Sequence, residues 1–432
     1  MADIRAFRGF RYDLGRTGPL SDLVAPPYDV IGPGLQQELY DRSPYNAIRV
    51  ELTRDEPGDT PTANKYARAS QALSGWLNDG ALQQDTLRSL YVVEQEYTVE
   101  GETFRRRGFM ARVRLEPFGT GRIFPHEQTM TGPKEDRLKL YRATGMNLSP
   151  VFGLYPDPTN DVFGRIDPLL HRTLPLEARD HLGVVSRLWP ITDDRVIGAV
   201  VSGMADKPVF IADGHHRYET GLRYQEEARA AGLATHDDAP ANFVLMMLVS
   251  MADPGLIILP THRLISGFAG LTAGQLKTAL GSHFQVERVG SAAEAWEAIE
   301  LDGTQALIGF HTKADNVWQT ARFTNPPLMA ELAADHSAEW RELAVSILHV
   351  AALGKLIPAA VGGSASCKYV HLLGEVEECV AAGGCDLAAL VPPATMEHVE
   401  EIAGHREKMP AKSTYFYPKL LTGLVYNSLK AN

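Results

Sequence analysis

Residues 208–217 read PVFIADGHHR, and YETGLRYQEEARAAG follows directly. The apolar run ends at Ala212, and Gly214 lets the chain turn sharply after Asp213. The periodicity predicts a helix beginning near Arg217 or Tyr218, with the amides of His215 to Glu219 pointing out of its first turn. Such a helix start attracts anions through its unpaired N–H groups and the positive end of its dipole. Arg217 adds a planar fork that matches two phosphate oxygens. His215 and His216 can each donate to a phosphate oxygen or carry a proton near neutral pH, which makes His216 a candidate catalytic group. Asp213 repels an anion, so its expected roles are to hold a metal ion, to accept a hydroxyl proton, or to orient His215 or Arg217. Two plainer readings compete. An Asp-Gly pair can simply turn the chain and cap a helix, and adjacent histidines rarely converge on one zinc ion.

Other stretches supply groups of the same chemical kind. RIFPHEQTMTGPKEDRLKL carries Glu127, a candidate general base or Mg²⁺ ligand, together with Lys134 and Arg137, which can neutralise phosphate. The same cations can equally be the solvated start of a helix. APPYDVI holds Tyr28 and Asp29 in a rigid proline loop, suited to base stacking, metal binding or substrate contact, though such turns are common without function. KMPAKSTYFYPK interleaves Lys408, Lys412 and Lys419 with Ser413 and Thr414. It lacks the glycines of a phosphate loop, so the expectation is a basic tail segment folding back onto the site to contact phosphate, against the plainer reading of solvated lysines. THRLI offers Arg263, beside His262, as a substrate contact at a strand end.

The elements that must position these groups read as α/β. VVSRLWPIT, PVFIA, NFVLMMLVSM and GLIILPTHRLI are apolar strand runs, with helices predicted over DDRVIGAVVSGMA and from the motif to Gly232. LRSLYVVEQEYTVEGETFRRRGFMARVRL predicts a hairpin turning at Glu100-Gly101. GPKEDRLKLYRATG predicts a helix ended by Gly145. Farther on, FQVERV, QALIGFH, VWQTARF and CDLAALVPP read as strands, and HSAEWRELAVSILHVAAL as one amphipathic helix. The expected division is an N-terminal α/β region over 1–183, a central unit over 184–265 and a C-terminal α/β region over 266–432.

Composition narrows the classes of partner. A net charge of -11 over 432 residues repels nucleic-acid backbones and anionic lipid, and no basic helix-turn-helix stands out. The expectation is therefore no nucleic-acid and no membrane partner, but a small anionic substrate held in a local basic pocket, with a homo-oligomer left open. Cys367, Cys379 and Cys385 fit neither a zinc spacing nor an even disulfide framework, and the start MADIRAFRGFRYD has no apolar signal core. No apolar stretch is expected to reach membrane-spanning length, and the predicted location is cytoplasmic.

Six motifs in order, VAPPYDVI, RSPYNAIRVEL, GPKEDRLKLYRATGMNLSPVFGLY, IADGHHRYET, PGLIILPTHRLI and KMPAKSTYFYPKLLTGLV, resemble the domain of unknown function 1015 family. The Asp-Gly-His-His-Arg element is similar to the phosphate-binding box of the ParB and sulfiredoxin superfamily, which includes free serine kinases with the same five residue types. The resemblance implies a ParB/sulfiredoxin-like central unit flanked by two α/β layers. It also implies a phosphotransferase using ATP or ADP and Mg²⁺ on a small hydroxylated metabolite, serine or O-phosphoserine. Asp213, His215, His216 and Arg217 would surround the nucleotide phosphates, and Arg217 transfers more safely than either histidine. Where the family usually has an acidic residue in the late helix this chain has Ala344, so no role is carried over there. Two alternatives remain: a nucleotide-binding regulator without turnover, and a metal-dependent phosphatase or other hydrolase.

Overall fold

The computed structural model describes residues 2–127 and 131–430. Residues 128–130, inside the Glu127-to-Arg137 motif, lie outside the described residues. The fold is mixed α/β, and the chain forms two compact units. The first comprises residues 1–125, 129–256 and 418–432; the second comprises 126–128 and 257–417. This division differs from the three-part expectation. The strand Val185–Ile191, expected to open a central unit, pairs with Leu90–Val99 of the N-terminal region in one continuous sheet.

In the first unit a nine-stranded sheet runs in the order Ile123–Pro125, Val209–Asp213, Val151–Tyr155, Phe243–Ser250, Glu102–Arg114, Leu90–Val99, Val185–Ile191, Leu176–Arg179. Ile4–Arg5 adds to Glu102–Arg114. The predicted hairpin is present: Glu100 and Gly101 both take positive φ, 51° and 85°, the geometry that matches strand twist in a two-residue turn. The central strand Phe243–Ser250 is buried along its whole length, because it is covered on both faces, and this explains its unbroken apolar run. Asp194–Met204 is the helix expected over DDRVIGAVVSGMA; of the two aspartates that could cap its start, Asp193 or Asp194, Asp193 does so. Thr131–Thr144 is the predicted helix ending before Gly145, and it packs along the helix His215–Ala230.

The second unit contains an antiparallel six-stranded sheet, ordered Phe284–Val289, Val317–Phe323, Leu307–Thr312, Leu387–Leu390, His262–Ser266, Ser366–Val370. The helices Ala292–Asp302 and Leu373–Ala381 contribute to one apolar cluster with it. The single amphipathic helix expected over HSAEWRELAVSILHVAAL is corrected here. Ala338–Glu342 ends at Leu343, which is extended at φ -60 and ψ 132. A new helical run then starts at Ala344, continues as a π-helix over Ile347–Leu356, and closes with Ile357–Val361. The Gln305 side chain accepts from the Ala344 amide at 3.1 Å, and this contact from a distant strand edge stabilises the second start. Contrary to the hydropathy expectation, Ala344–Val361 is long and apolar enough to cross a membrane, at a mean hydropathy of 1.8 over 18 residues. Half of that stretch is buried inside the protein, as in a core helix.

Candidate functional site

The strand Val209–Asp213 pairs antiparallel with Val151–Tyr155, but the register slips between Ile211 and Asp213. One extra residue bends the strand just before the motif, a device that re-aims side chains beside functional sites. Gly214 then takes φ 85 and ψ 26 and forms the N-cap of the helix His215–Ala230. The helix therefore begins two or three residues earlier than predicted. Tyr218 N already donates to Gly214 O at 3.0 Å, so the amides that lack a helical partner end before Tyr218 instead of extending to Glu219. No side chain caps this start, which removes Asp213 as a helix cap.

Arg217 reaches back one turn. Its Nη2 lies 2.7 Å from Asp213 Oδ2, and its other terminal nitrogen donates to the Pro150 carbonyl. The side chain is 4% exposed, and Nε is buried without a hydrogen-bond partner among the described residues. A Cβ built on Gly214 would sit 2.9 Å from that Nε, so glycine is required there both for its positive φ and for space. Lys419 Nζ approaches the other Asp213 oxygen at 2.5 Å. Arg106, fully buried, donates to Gln95 Oε1 at 2.6 Å and lies within electrostatic reach of Asp213.

These groups set each other's charge. Burial raises the Asp213 carboxyl, but Lys419 and Arg217 outweigh burial and hold it below the ordinary carboxylate range. Burial acts to lower Arg217, yet Asp213, followed by Asp29 and Glu51, keeps it above its usual value. Burial dominates at Arg106 and pushes it down to about 10. Asp213 is thus a carboxylate shared by two cations. It is a weak proton acceptor in this setting and is suited to orienting Arg217 and Lys419.

Several other expected residues gather in the same unit. Arg137 donates to the Glu51 carbonyl at 2.8 Å and to Glu51 Oε1 at 3.2 Å, while its guanidinium stacks 4.3 Å over the Tyr28 ring. Tyr28 and Asp29 both act electrostatically on Arg217. Burial raises the Tyr28 phenol, against the pull of Arg217 and Arg137. Lys134 Nζ lies 2.7 Å from Glu219 Oε2 on the helix that opens at His215. Neither Lys134 nor Arg137 is merely a solvated cation; each faces a carboxylate.

Glu127, Arg263, Lys412, Ser413 and Thr414 belong to the second unit. Glu127 accepts from the backbone amide of Lys412, whose φ of 61° marks a tight turn. Ser413 Oγ donates to the Pro410 carbonyl at 2.6 Å, and Thr414 Oγ1 lies 2.7 Å from His126 Nε2. Arg263 is buried and donates to the Lys412 carbonyl at 2.9 Å and to His349 Nε2 at 3.2 Å. Within this unit these contacts hold the KMPAKST turn in place.

Lys419, Glu51 and Arg106 were not singled out from the sequence as site residues. Lys419 had one visible signal, its place in a segment of lysines and aromatics. Glu51 and Arg106 carry none, since only the fold brings them near residues far along the chain. The Mg²⁺ expected at Glu127 and Asp213 does not fit these residues. Asp213 is already shared by two cations, Glu127 accepts from the Lys412 amide, and no group of three metal-binding side chains occurs among the described residues.

A family model described as "Protein of unknown function (DUF1015)" matches residues 4–345. The chain belongs to DUF1015. No curated protein matches it. Among solved structures, this DUF1015 chain is similar to a conserved hypothetical protein from Pyrococcus furiosus, at 12% identity over 69% of this chain and 89% of that one, with a TM-score of 0.33. It is similar to a free serine kinase in complex with AMP, at 12% identity over 68% and 83%, with a TM-score of 0.34. A third is SbnI with C-terminal truncation from Staphylococcus aureus, at 11% identity over 72% and 85%, with a TM-score of 0.35.

Proposed function

We propose that this chain is a nucleotide-dependent phosphotransferase acting on a small hydroxylated metabolite, serine or O-phosphoserine first among them. The observation that carries the reading is the buried Nε–H of Arg217, unpartnered among the described residues and facing the space that a Gly214 side chain would fill. An orphaned buried donor costs about 1–3 kcal/mol, a cost that a phosphate oxygen accepting from it would relieve. The surroundings favour an anion: a helix start with no side-chain cap, and Lys419 and Arg217 sharing one carboxylate with Arg106 in electrostatic reach.

In this reading Arg217, Lys419, His215 and the first amides of the helix hold the nucleotide phosphates, and the nucleotide supplies the transferable phosphoryl group. Asp213 fixes the two cations and does not act as the base. His216, half-buried in the first turn, is the proposed proton carrier for the substrate hydroxyl. Tyr28 and Asp29, both electrostatically linked to Arg217, are the proposed substrate contacts. The test is to incubate the purified chain with ATP or ADP and serine or O-phosphoserine, following products by phosphorus NMR. Interconversion of serine and O-phosphoserine coupled to the nucleotide is expected. Nucleotide binding without any phosphoryl transfer across a panel of hydroxylated amino acids would leave the regulator reading in its place.

A further inference from the structure

The second unit holds a cavity of about 760 Å³ that none of the phosphate chemistry uses. That volume lies within the usual range for small-molecule sites, which are walled by apolar side chains and oriented by a few polar groups. Here Phe323, Pro327 and Met329 give apolar surface, while Arg341, Glu342 and His398 bring opposite charges and an imidazole to the same cavity. The Arg341 side chain donates to no protein group among the described residues, and Glu342 is exposed. His398 Nδ1 accepts from the Thr395 amide at 3.0 Å, which places the ring proton on Nε2 and makes that nitrogen a donor. Burial lowers the His398 pKa, so the neutral donor form is the one present near pH 7.

We propose that this cavity binds a free α-amino acid with a large apolar side chain. Arg341 and the Nε2–H of His398 take the carboxylate, Glu342 takes the ammonium group, and the side chain lies against Phe323, Pro327 and Met329. The adjacent acid and base are what select a zwitterion. A simple carboxylic acid would face Glu342 uncompensated, and a simple amine would face Arg341, each a like-charge contact. The proposal stands independently of the phosphate site in the first unit.

The test is calorimetric titration of the full chain with L-tryptophan, L-phenylalanine and L-leucine, and with two analogues of tryptophan, indole-3-propionate and tryptamine. At least one of the amino acids is expected to bind with one-to-one stoichiometry. Both analogues, and the variants Arg341→Gln and Glu342→Gln, are expected to weaken tryptophan-type binding about tenfold or more, the scale of one lost charge-assisted contact. Ala330→Trp, which fills the cavity from its lining, is expected to abolish binding while ADP binding persists. No binding of any of the three amino acids at millimolar concentration overturns the proposal. So does indole-3-propionate or tryptamine binding as tightly as tryptophan, which would mark a site for a single charge. The ligand series on the unaltered protein decides the matter even if a variant fails to fold.

Discussion

Lys419 Nζ sits 2.5 Å from Asp213 Oδ1, joining residues 206 positions apart, while Arg217 holds the other oxygen of the same carboxylate at 2.7 Å. Asp213 and Lys419 are both largely buried, at 18% and 13% side-chain exposure. A buried pair is a poor source of net stability, yet breaking one by removing a single partner is costly because the other charge stays behind. Because Arg217 still neutralises Asp213, Lys419→Met is expected to destabilise the first unit by about 1.5–3 kcal/mol, the scale of one hydrogen bond to a charged group, measured by urea denaturation. Asp213 also gives the pair a pH dependence. Its folded-state pKa is depressed, so the unfolded chain takes up the proton first as the solution is acidified. The stabilisation is present above the unfolded carboxyl value of about 3.9 and is lost as the pH falls below it. Asp213→Asn is expected to flatten that acid limb.

The sequence alone leads one to expect that Arg217→Ala weakens nucleotide binding and leaves folding intact. Burial of the guanidinium against Asp213 and the Pro150 carbonyl changes that expectation. Arg217→Ala is now expected to cost about 3–5 kcal/mol of stability as well as the phosphate contact. Arg217→Lys is the sharper probe. It keeps the charge near Asp213, but its single nitrogen cannot take the three separate positions from which the guanidinium nitrogens face Asp213, the Pro150 carbonyl and the ligand. ADP affinity, measured by calorimetry, is expected to fall about tenfold or more with Arg217→Lys, as at other sites of forked recognition. Unchanged affinity would remove Arg217 from the phosphate site.

What could be read from the sequence was what is local. The strand-turn-helix around IADGHHR, the Glu100-Gly101 hairpin and the Asp193 cap each declare themselves within a few residues. Arg217, four residues on, could be anticipated as a partner of Asp213, but the distant partner could not. Lys419 stood out only as one of several lysines in a basic segment, and the return of residues 418–432 to the first unit is what makes it, among them, the partner of Asp213. The late helix failed for a related reason. Its apolar spacing runs on through Leu343, and the amide freed by the break there is satisfied by Gln305, a residue no periodicity could connect to Ala344. Arg137 shows the same limit from the other side. Its charge was legible, but its burial against Glu51 and Tyr28 was not.

Gly214 offers a test of how tightly the turn governs Arg217. At φ 85 an alanine pays the left-handed penalty of roughly 1–2 kcal/mol, and its Cβ would meet the Arg217 guanidinium at 2.9–3.1 Å. Gly214→Ala is expected to lower the melting temperature by several degrees and to reduce ADP affinity more than that loss of stability explains, because it covers Nε. A variant that melts lower yet binds ADP unchanged would show that Nε is not where the phosphate lies.

His349 provides a pH prediction confined to the second unit. Arg263 Nε donates to His349 Nε2 at 3.2 Å, so the imidazole serves as an acceptor and its proton resides on Nδ1. Burial, reinforced by the Arg263 charge, pushes its pKa down to about 4, and His262 beside Arg263 is pushed to about 3 by the same two causes together with His371. In the unfolded chain both histidines titrate near 6.5. Between about pH 6.5 and 4 the unfolded state therefore binds more protons, and stability falls as the pH drops through that window. His349→Gln keeps an acceptor for Arg263 and removes one of the two titrations. Urea melts at pH 7.5 and 5 should show a smaller difference for the variant than for the native chain, with His262 accounting for what remains. An equal difference in the two proteins would mean that His349 is exposed to solvent in the folded state and that its bond to Arg263 is not maintained in solution.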